Sequence, residues 1–253
     1  MEIYSDLINA KRQGLKKFAV LVDPDKMRLE KFDRVLEESM KHQVDYLLIG
    51  GSLIVNNMLE TVLTSFKDKC DIPLILFPGN SFQLSYKADG ILFLSLISGR
   101  NAELLIGKHV ITAPFLKKSP LEIISTGYML IDGGAATAAS YMSNTNPIPA
   151  DKNDIALCTA IAGELLGLKM IYLEAGSGAQ NPVSTDLIKT VADGISIPLI
   201  VGGGINTPGK VRENALAGAD LIVVGDAIEK NPSLIGEMVA AIQSASSSKM
   251  STH

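Results

Sequence analysis

The sequence predicts a single closed (β/α)8 barrel, and three observations lead to it. The chain has 253 residues, close to the roughly 250 of one such barrel. Eight short apolar runs, rich in β-branched residues, alternate with amphipathic stretches. The last two runs each open into a Gly-containing turn that leads into a helical pattern.

The strand runs are Phe18–Val22, Tyr46–Ile49, Leu74–Phe77, Gly90–Leu94, Tyr128–Ile131, Met170–Leu173, Leu199–Val201 and Leu221–Val224. Their unbroken apolarity suits parallel strands covered on both faces. Between them, Leu29, Phe32, Val35, Leu36 and Met40 recur at helical spacing, as do Leu53, Val55, Met58, Leu59, Val62 and Phe66. Asn153–Leu166, Val183–Val191, Thr207–Ala217 and Pro232–Ile242 read as later helices. Alternation of strand and helix implies a parallel α/β architecture. Eight runs favour closure; an open doubly wound sheet is the other reading.

Two connections are irregular. Only Pro78 to Ala88 separate the third and fourth runs, whereas a full crossover with its helix needs about 10–12 residues or more. A loop or short extended segment is expected there in place of the third helix. After the fifth run, Gly133 to Lys152 is long, small and polar, with Asn146-Pro-Ile-Pro149 inside it. Such loops serve as lids or subunit contacts, or are disordered. One domain over residues 1–243 and a Ser-rich, frayed tail over 244–253 follow.

Composition narrows the function class. The chain is 47% hydrophobic and 20% charged, with 22 Gly, no Trp and a formal net charge of −4. There is no basic stripe, so nucleic acid is not an expected partner; Lys16–Lys17 and Lys117–Lys118 read as solvated surface. Cys70 and Cys158 form no ligand pattern and read as free thiols of a reducing compartment. The polar first fourteen residues are no secretory signal, and no apolar run reaches the ~20 residues of a membrane span. A cytoplasmic protein is expected. His42, His109 and His253 read as surface or core residues, not catalysts.

The strongest local signal lies near the end of the chain. Pro198-Leu-Ile-Val-Gly-Gly-Gly-Ile205 and Ala219-Asp-Leu-Ile-Val-Val-Gly-Asp-Ala227 repeat one plan. In barrels the loops after strands 7 and 8 commonly hold a phosphate. Glycines let the backbone approach, and the open N–H groups of a helix start point at the anion. Gly202, Gly203 and Gly204 supply one wall, Gly225 and Asp226 the other. The sixth strand closes in Tyr172-Leu-Glu-Ala-Gly-Ser-Gly178, where alternation puts Tyr172 and Glu174 on one face. Glu174 at the strand top is placed to be a general base, or equally to cap a helix or pair with a lysine. Val22-Asp-Pro-Asp-Lys26 and Gly50-Gly-Ser52 close the first two strands. Asp23 and Ser52 offer oxygen to Mg2+ and a diphosphate; both segments also read as ordinary turn and N-cap sequences.

Together, Leu21–Lys26, Asp45–Ser52, Tyr172–Gly178, Gly202–Ile205 and Val223–Asp226 resemble, in order and over most of the chain, the geranylgeranylglyceryl phosphate synthase family of prenyltransferases. The family is a modified TIM barrel with its third helix replaced by a short extended segment. The resemblance implies attack of the 3-hydroxyl of sn-glycerol 1-phosphate on C1 of a polyprenyl diphosphate such as geranylgeranyl diphosphate, forming an ether and releasing diphosphate. It implies Asp23 and Ser52 as Mg2+ ligands. It implies that Tyr172, Leu173, Glu174, Ala175, Gly176, Ser177, Gly178, Gly203, Gly204, Gly225 and Asp226 hold the glycerol phosphate. Glu174 is then the base, with Tyr172 beside the glycerol. The long fifth connection resembles the hexamer-forming branch, with Tyr141 as the matching aromatic anchor. Leu21 stands where the heptaprenyl-transferring branch has a lysine, which argues against that branch. A phosphate-binding isomerase or aldolase, or a barrel that binds a phosphometabolite without turnover, are the rival readings.

Overall fold

The computed structural model describes residues 2–25, 29–52, 56 and 58–250. Lys26, Leu53, Val55, His253 and the side chain of Leu29, all used in the sequence reading, lie outside the described residues.

The elements follow the order α1 (Ile3–Arg12), β1 (Lys17–Val22), α2 (Leu29–Lys41), β2 (Tyr46–Ile49), α3 (Leu59–Lys67), β3 (Leu74–Leu76) and β4 (Gly90–Leu96). A π-helical turn, Glu103–Gly107, leads into α4 (Lys108–Leu116), then β5 (Glu122–Leu130), α5 (Ala138–Ser143) and α6 (Asn153–Leu165). The chain ends with β6 (Met170–Glu174), α7 (Thr185–Gly194), β7 (Leu199–Gly202), α8 (Pro208–Ala217), β8 (Leu221–Val224), α9 (Asp226–Lys230) and α10 (Leu234–Met250). The eight strands close in sequence order, every pair parallel, with Val20 of β1 opposite Val224 of β8. Closure overturns the open-sheet reading. No helix lies between β3 and β4, as the short Pro78–Ala88 segment requires.

Alternation along the strands divides the core in two. Ala19, Tyr46, Leu48, Ile75, Leu92, Ile124, Met170, Tyr172, Ile200 and Val223 fill the barrel. Phe18, Val20, Val22, Leu47 and Ile49 point outward, in one cluster with Phe32, Val35, Leu36, Val62, Leu63 and Phe66 of the helices. Helix α1 closes the bottom: Ile3 and Leu7 join the inner cluster, and the Ile3 and Tyr4 N–H groups donate to the Glu122 carboxylate at the start of β5. Short polar side chains start the later helices. Ser184 accepts from the Leu187 N–H, Thr207 from the Lys210 N–H, and Thr137 and Ser140 form a reciprocal capping box.

Two expectations are corrected. Residues 244–250 continue helix α10, where the sequence reading has a tail apart from the domain. Serines are weak helix formers, but Ala245 is buried and the Ser246 hydroxyl accepts from the Lys16 N–H at 2.9 Å, which ties that turn to the barrel. Strand β5 starts at Glu122, six residues before the apolar run; Ser125, Thr126 and Gly127 interrupt the hydrophobicity without interrupting the pairing with β4.

Candidate active site

The inward faces of β1 and β6 each end in a carboxylate at the C-terminal mouth of the barrel: Ala19, Leu21 and Asp23 on one, Tyr172 and Glu174 on the other. Both acids are almost fully enclosed, Asp23 at 7% exposure and Glu174 at 5%. They line one cavity of about 70 Å³ together with Ser52, Gly176, Ser177, Gly203, Gly204, Gly225 and Asp226. The sequence had these residues on five different loops; the fold brings them to one chamber. Leu173 and Ala175 do not reach it, because alternation turns them outward into the cluster shared with the helices.

Glu174 receives the Gly176 N–H on Oε1 at 2.7 Å. Its carboxyl is pushed up to about 7, chiefly by burial; the Gly176 N–H and the Tyr172 hydroxyl hold it down, and the negative charge of Asp226 adds to the rise. The Tyr172 hydroxyl sits beside this carboxylate, but out of good hydrogen-bond alignment, and the ring itself is 0% exposed. Tyr172 lies beside Glu174 in the lining of the same chamber. Burial and the adjacent carboxylate drive the Tyr172 phenol upward, so it stays neutral.

The glycines are spatial requirements. A Cβ at position 203 would collide with Glu174 Oε1, and its φ of +82° lies in the left-handed region. A Cβ at Gly51 would come within 2.6 Å of Asp23 Oδ2, so glycine there keeps the loop after β2 against the aspartate. The Ser177 hydroxyl donates to Asp226 Oδ1 at 2.9 Å, linking the loops after β6 and β8.

Sequence reasoning missed several residues. Gln83, buried in the segment that replaces the third helix, donates to the Gly51 carbonyl at 2.7 Å and accepts from the Gly51 and Gly79 N–H groups. It fastens the loop after β2 to the loop after β3, and nothing in a loop glutamine announces that. Glu229 of α9 lines the cavity and accepts from the Asp23 N–H. Asp25 accepts from the Asn56 N–H instead of lining the chamber. Among the described residues lining this cavity there is no Lys or Arg, and no three His, Cys, Asp or Glu side chains gather as a metal site.

A second, larger cavity of about 210 Å³ opens where the third helix is missing. Leu84, Ile91, Phe93, Leu104, Leu116 and Met142 are among its apolar walls. It meets the polar chamber at Gly51, Ser52, Phe77, Tyr128 and Ala139, which line both. A polar head and an apolar tail of one ligand thus have adjoining rooms.

The chain is similar to known proteins along nearly its whole length. The chain is 54% identical to a geranylgeranylglyceryl phosphate synthase of Chitinophaga pinensis, over 96% of this chain and 97% of that one. It is 40% identical to the protein of that name from Methanopyrus kandleri, over 88% and 92%. It superposes with a TM-score of 0.91 on the crystal structure of (S)-3-O-geranylgeranylglyceryl phosphate synthase from Thermoplasma acidophilum in complex with its substrate sn-glycerol-1-phosphate, at 31% identity over 96% and 99% of the two chains. The tryptophan synthase α subunit of Legionella pneumophila, at 14% identity and a TM-score of 0.59, shares the fold alone. Residues 11–246 match the PcrB family, and with relatives of such identity over nearly its whole length the chain belongs to that family.

Proposed function

We propose that this protein is a prenyltransferase that joins the 3-hydroxyl of sn-glycerol 1-phosphate to C1 of geranylgeranyl diphosphate or a similar polyprenyl diphosphate, releasing diphosphate. The observation that carries the reading is the junction of a polar chamber holding Glu174 with an apolar groove where the third helix is absent. The glycine turns and Ser177 cup the glycerol phosphate through backbone N–H groups. Glu174, poised near neutrality, accepts the proton of the 3-hydroxyl as that oxygen bonds to C1. Tyr172, in the lining of the same chamber, stands beside the glycerol. The hydrocarbon tail lies in the groove.

Mg2+ fits the donor side. Asp23 and Ser52 offer hard oxygen ligands, too few to bind it alone but enough with the oxygens of a diphosphate, which is how Mg2+ is commonly held. With Asp23, Glu174, Asp226 and Glu229 around the chamber and no described cationic side chain in its lining, a trianionic diphosphate needs a cation. When bound, the ion neutralises the leaving diphosphate. Asp23→Asn removes that charge, and turnover is expected to fall while glycerol phosphate binding persists.

An aldolase using a Schiff base needs a lysine, and none of the described chamber residues is one. A binding protein without turnover predicts ligand binding and no ether product. Extraction of labelled product from labelled sn-glycerol 1-phosphate and geranylgeranyl diphosphate, with and without Mg2+, tests the reading; no lipid-soluble label in either arm refutes it. We further place the protein in the cytoplasm, in keeping with its two free cysteines; among the described residues no helix is long and apolar enough to cross a membrane. We propose a hexamer anchored by Tyr141, which stands 83% exposed on the short helix α5 and has the character of an interface anchor. Light scattering of Tyr141→Ala is expected to give a smaller particle; an unchanged mass removes the anchor.

A further inference from the structure

The step that the polar chamber does not explain is the fate of positive charge at C1. When the C1–O bond of an allylic diphosphate breaks, the electron pair leaves with the diphosphate. The positive charge then spreads over C1 and C3 until the glycerol oxygen closes the new bond and its proton passes to Glu174. C1 joins the diphosphate to the hydrocarbon, so it sits where the two cavities meet. Two aromatic rings line both cavities there, Phe77 and Tyr128. Building on the prenyltransferase reading, we propose that Tyr128 and Phe77 are catalytic residues whose ring faces stabilise the allylic cation at C1 and exclude water from it.

Three observations support this. Both side chains are only partly buried, although they stand within the mouth of the barrel, so the surface they expose faces the cavities. Their rings are held in place: the centroids lie 5.8 Å apart with planes inclined by 64°, and Tyr172 backs them both, stacked on Phe77 at 5.4 Å and edge-on to Tyr128 at 5.4 Å. Tyr172 itself has no exposed surface, so the third ring fixes the other two. Finally, the Tyr128 phenol is pushed well above its ordinary range by burial and by the Glu174 charge. It stays neutral and does not compete with the glycerol oxygen as a nucleophile. A ring face over a desolvated cation accelerates its formation by about 2- to 30-fold.

Graded fluorination isolates this effect, because fluorine drains the ring quadrupole with little change in shape. The measurement is the single-turnover rate of ether formation at saturating donor for Tyr128→Phe and for the same position carrying mono-, di- and trifluorinated phenylalanine. Donor affinity and the release of free prenyl alcohol are followed in parallel. Tyr128→Phe is expected to stay within about threefold of the parent. Each added fluorine then lowers the rate further, to about tenfold or more across the series, with donor affinity held within about threefold. Tyr128→Leu is expected to raise the share of prenyl alcohol as water captures the cation. A series flat in fluorine, or a loss complete at Tyr128→Phe that marks the hydroxyl as the working group, overturns the proposal and leaves the prenyltransferase reading intact. Absence of ether product from the parent protein defeats that reading itself. The same series at Phe77 provides a second measurement if the Tyr128 variants do not fold.

Discussion

Carboxylates are buried at both ends of this barrel, and the two ends treat them in opposite ways. At the bottom, Asp220 receives Lys11 at 2.8 Å, Lys16 at 3.3 Å and the Leu199 N–H at 2.9 Å. Asp6 and Asp45 share Lys17 at 3.1 and 2.9 Å, and the Tyr46 hydroxyl donates to Asp6. Glu122 caps the two leading N–H groups of α1. At the top, Glu174 is as deeply buried as Asp220 but has one backbone N–H, a tyrosine hydroxyl and a neighbouring carboxylate. Burial is common to both ends. What separates the two ends is company: a cation or a pair of backbone N–H groups for each carboxylate at the bottom, and for Glu174 one N–H with a second carboxylate nearby.

The largest expected effect comes from removing the unpaired acid. Glu174→Gln keeps the size of the side chain but cannot accept a proton, and turnover should fall by about 10²–10⁴-fold with the circular dichroism spectrum unchanged. Turnover within a few-fold of the parent would make Glu174 another structural carboxylate and erase the contrast. The converse experiment is Asp220→Asn. It strips the shared anion from Lys11 and from the buried Lys16, and unfolding in urea should show a loss of about 3–5 kcal/mol. Turnover per folded molecule should stay near that of the parent; a selective loss of activity at unchanged stability would put the bottom cluster into the chemistry.

A smaller effect sharpens the contrast by pH. A carboxyl that ionises near its ordinary 4.5 when exposed and at about 7 in the fold keeps a proton in the folded state that the unfolded chain has already lost. Its neutral form contributes fully below pH 4.5, and that contribution is lost as pH rises through 7, by about 3 kcal/mol in all. Catalysis runs the other way, because the base must be ionised. kcat/KM should rise about tenfold per pH unit below 7 and level off above it. In Glu174→Gln both dependences should flatten. A parent profile that levels off near pH 4.5 would show the carboxyl to be solvated.

Much of the fold was legible because its signals are local. Tyr46–Ile49 and Leu221–Val224 are unbroken apolar runs and are strands at those same residues. The missing third helix followed from the length of Pro78–Ala88. Helix α1 was legible but unread: Ile3, Leu7 and Ala10 form a stripe at helical spacing within a segment that is otherwise polar. Two thirds of β5 lay outside its apolar run, masked by Ser125, Thr126 and Gly127. In the site, Asp23, Glu174 and the glycines could be named because each closes a strand. The apolar groove could not, since Leu84, Phe93, Leu104 and Met142 come from four separate segments and no spacing rule relates them. The raised Glu174 carboxyl was equally invisible, because it depends on what is absent around the side chain.

The missing third helix has a consequence for stability. In a regular barrel every part of the outer sheet face is covered by protein, but here Leu84, Ile91 and Phe93 look into the groove where that helix would lie. Under the proposed reaction, the covering layer is completed by a molecule that the enzyme consumes. A hydrocarbon tail filling this gap acts as a removable piece of the core, and occupancy at a hundredfold excess over Kd would add about 2.7 kcal/mol to the folded state. The melting temperature of this protein would then follow the supply of its own lipid precursor, so that a shortage of prenyl diphosphate would be felt as a loosening of the enzyme as well as a slower reaction.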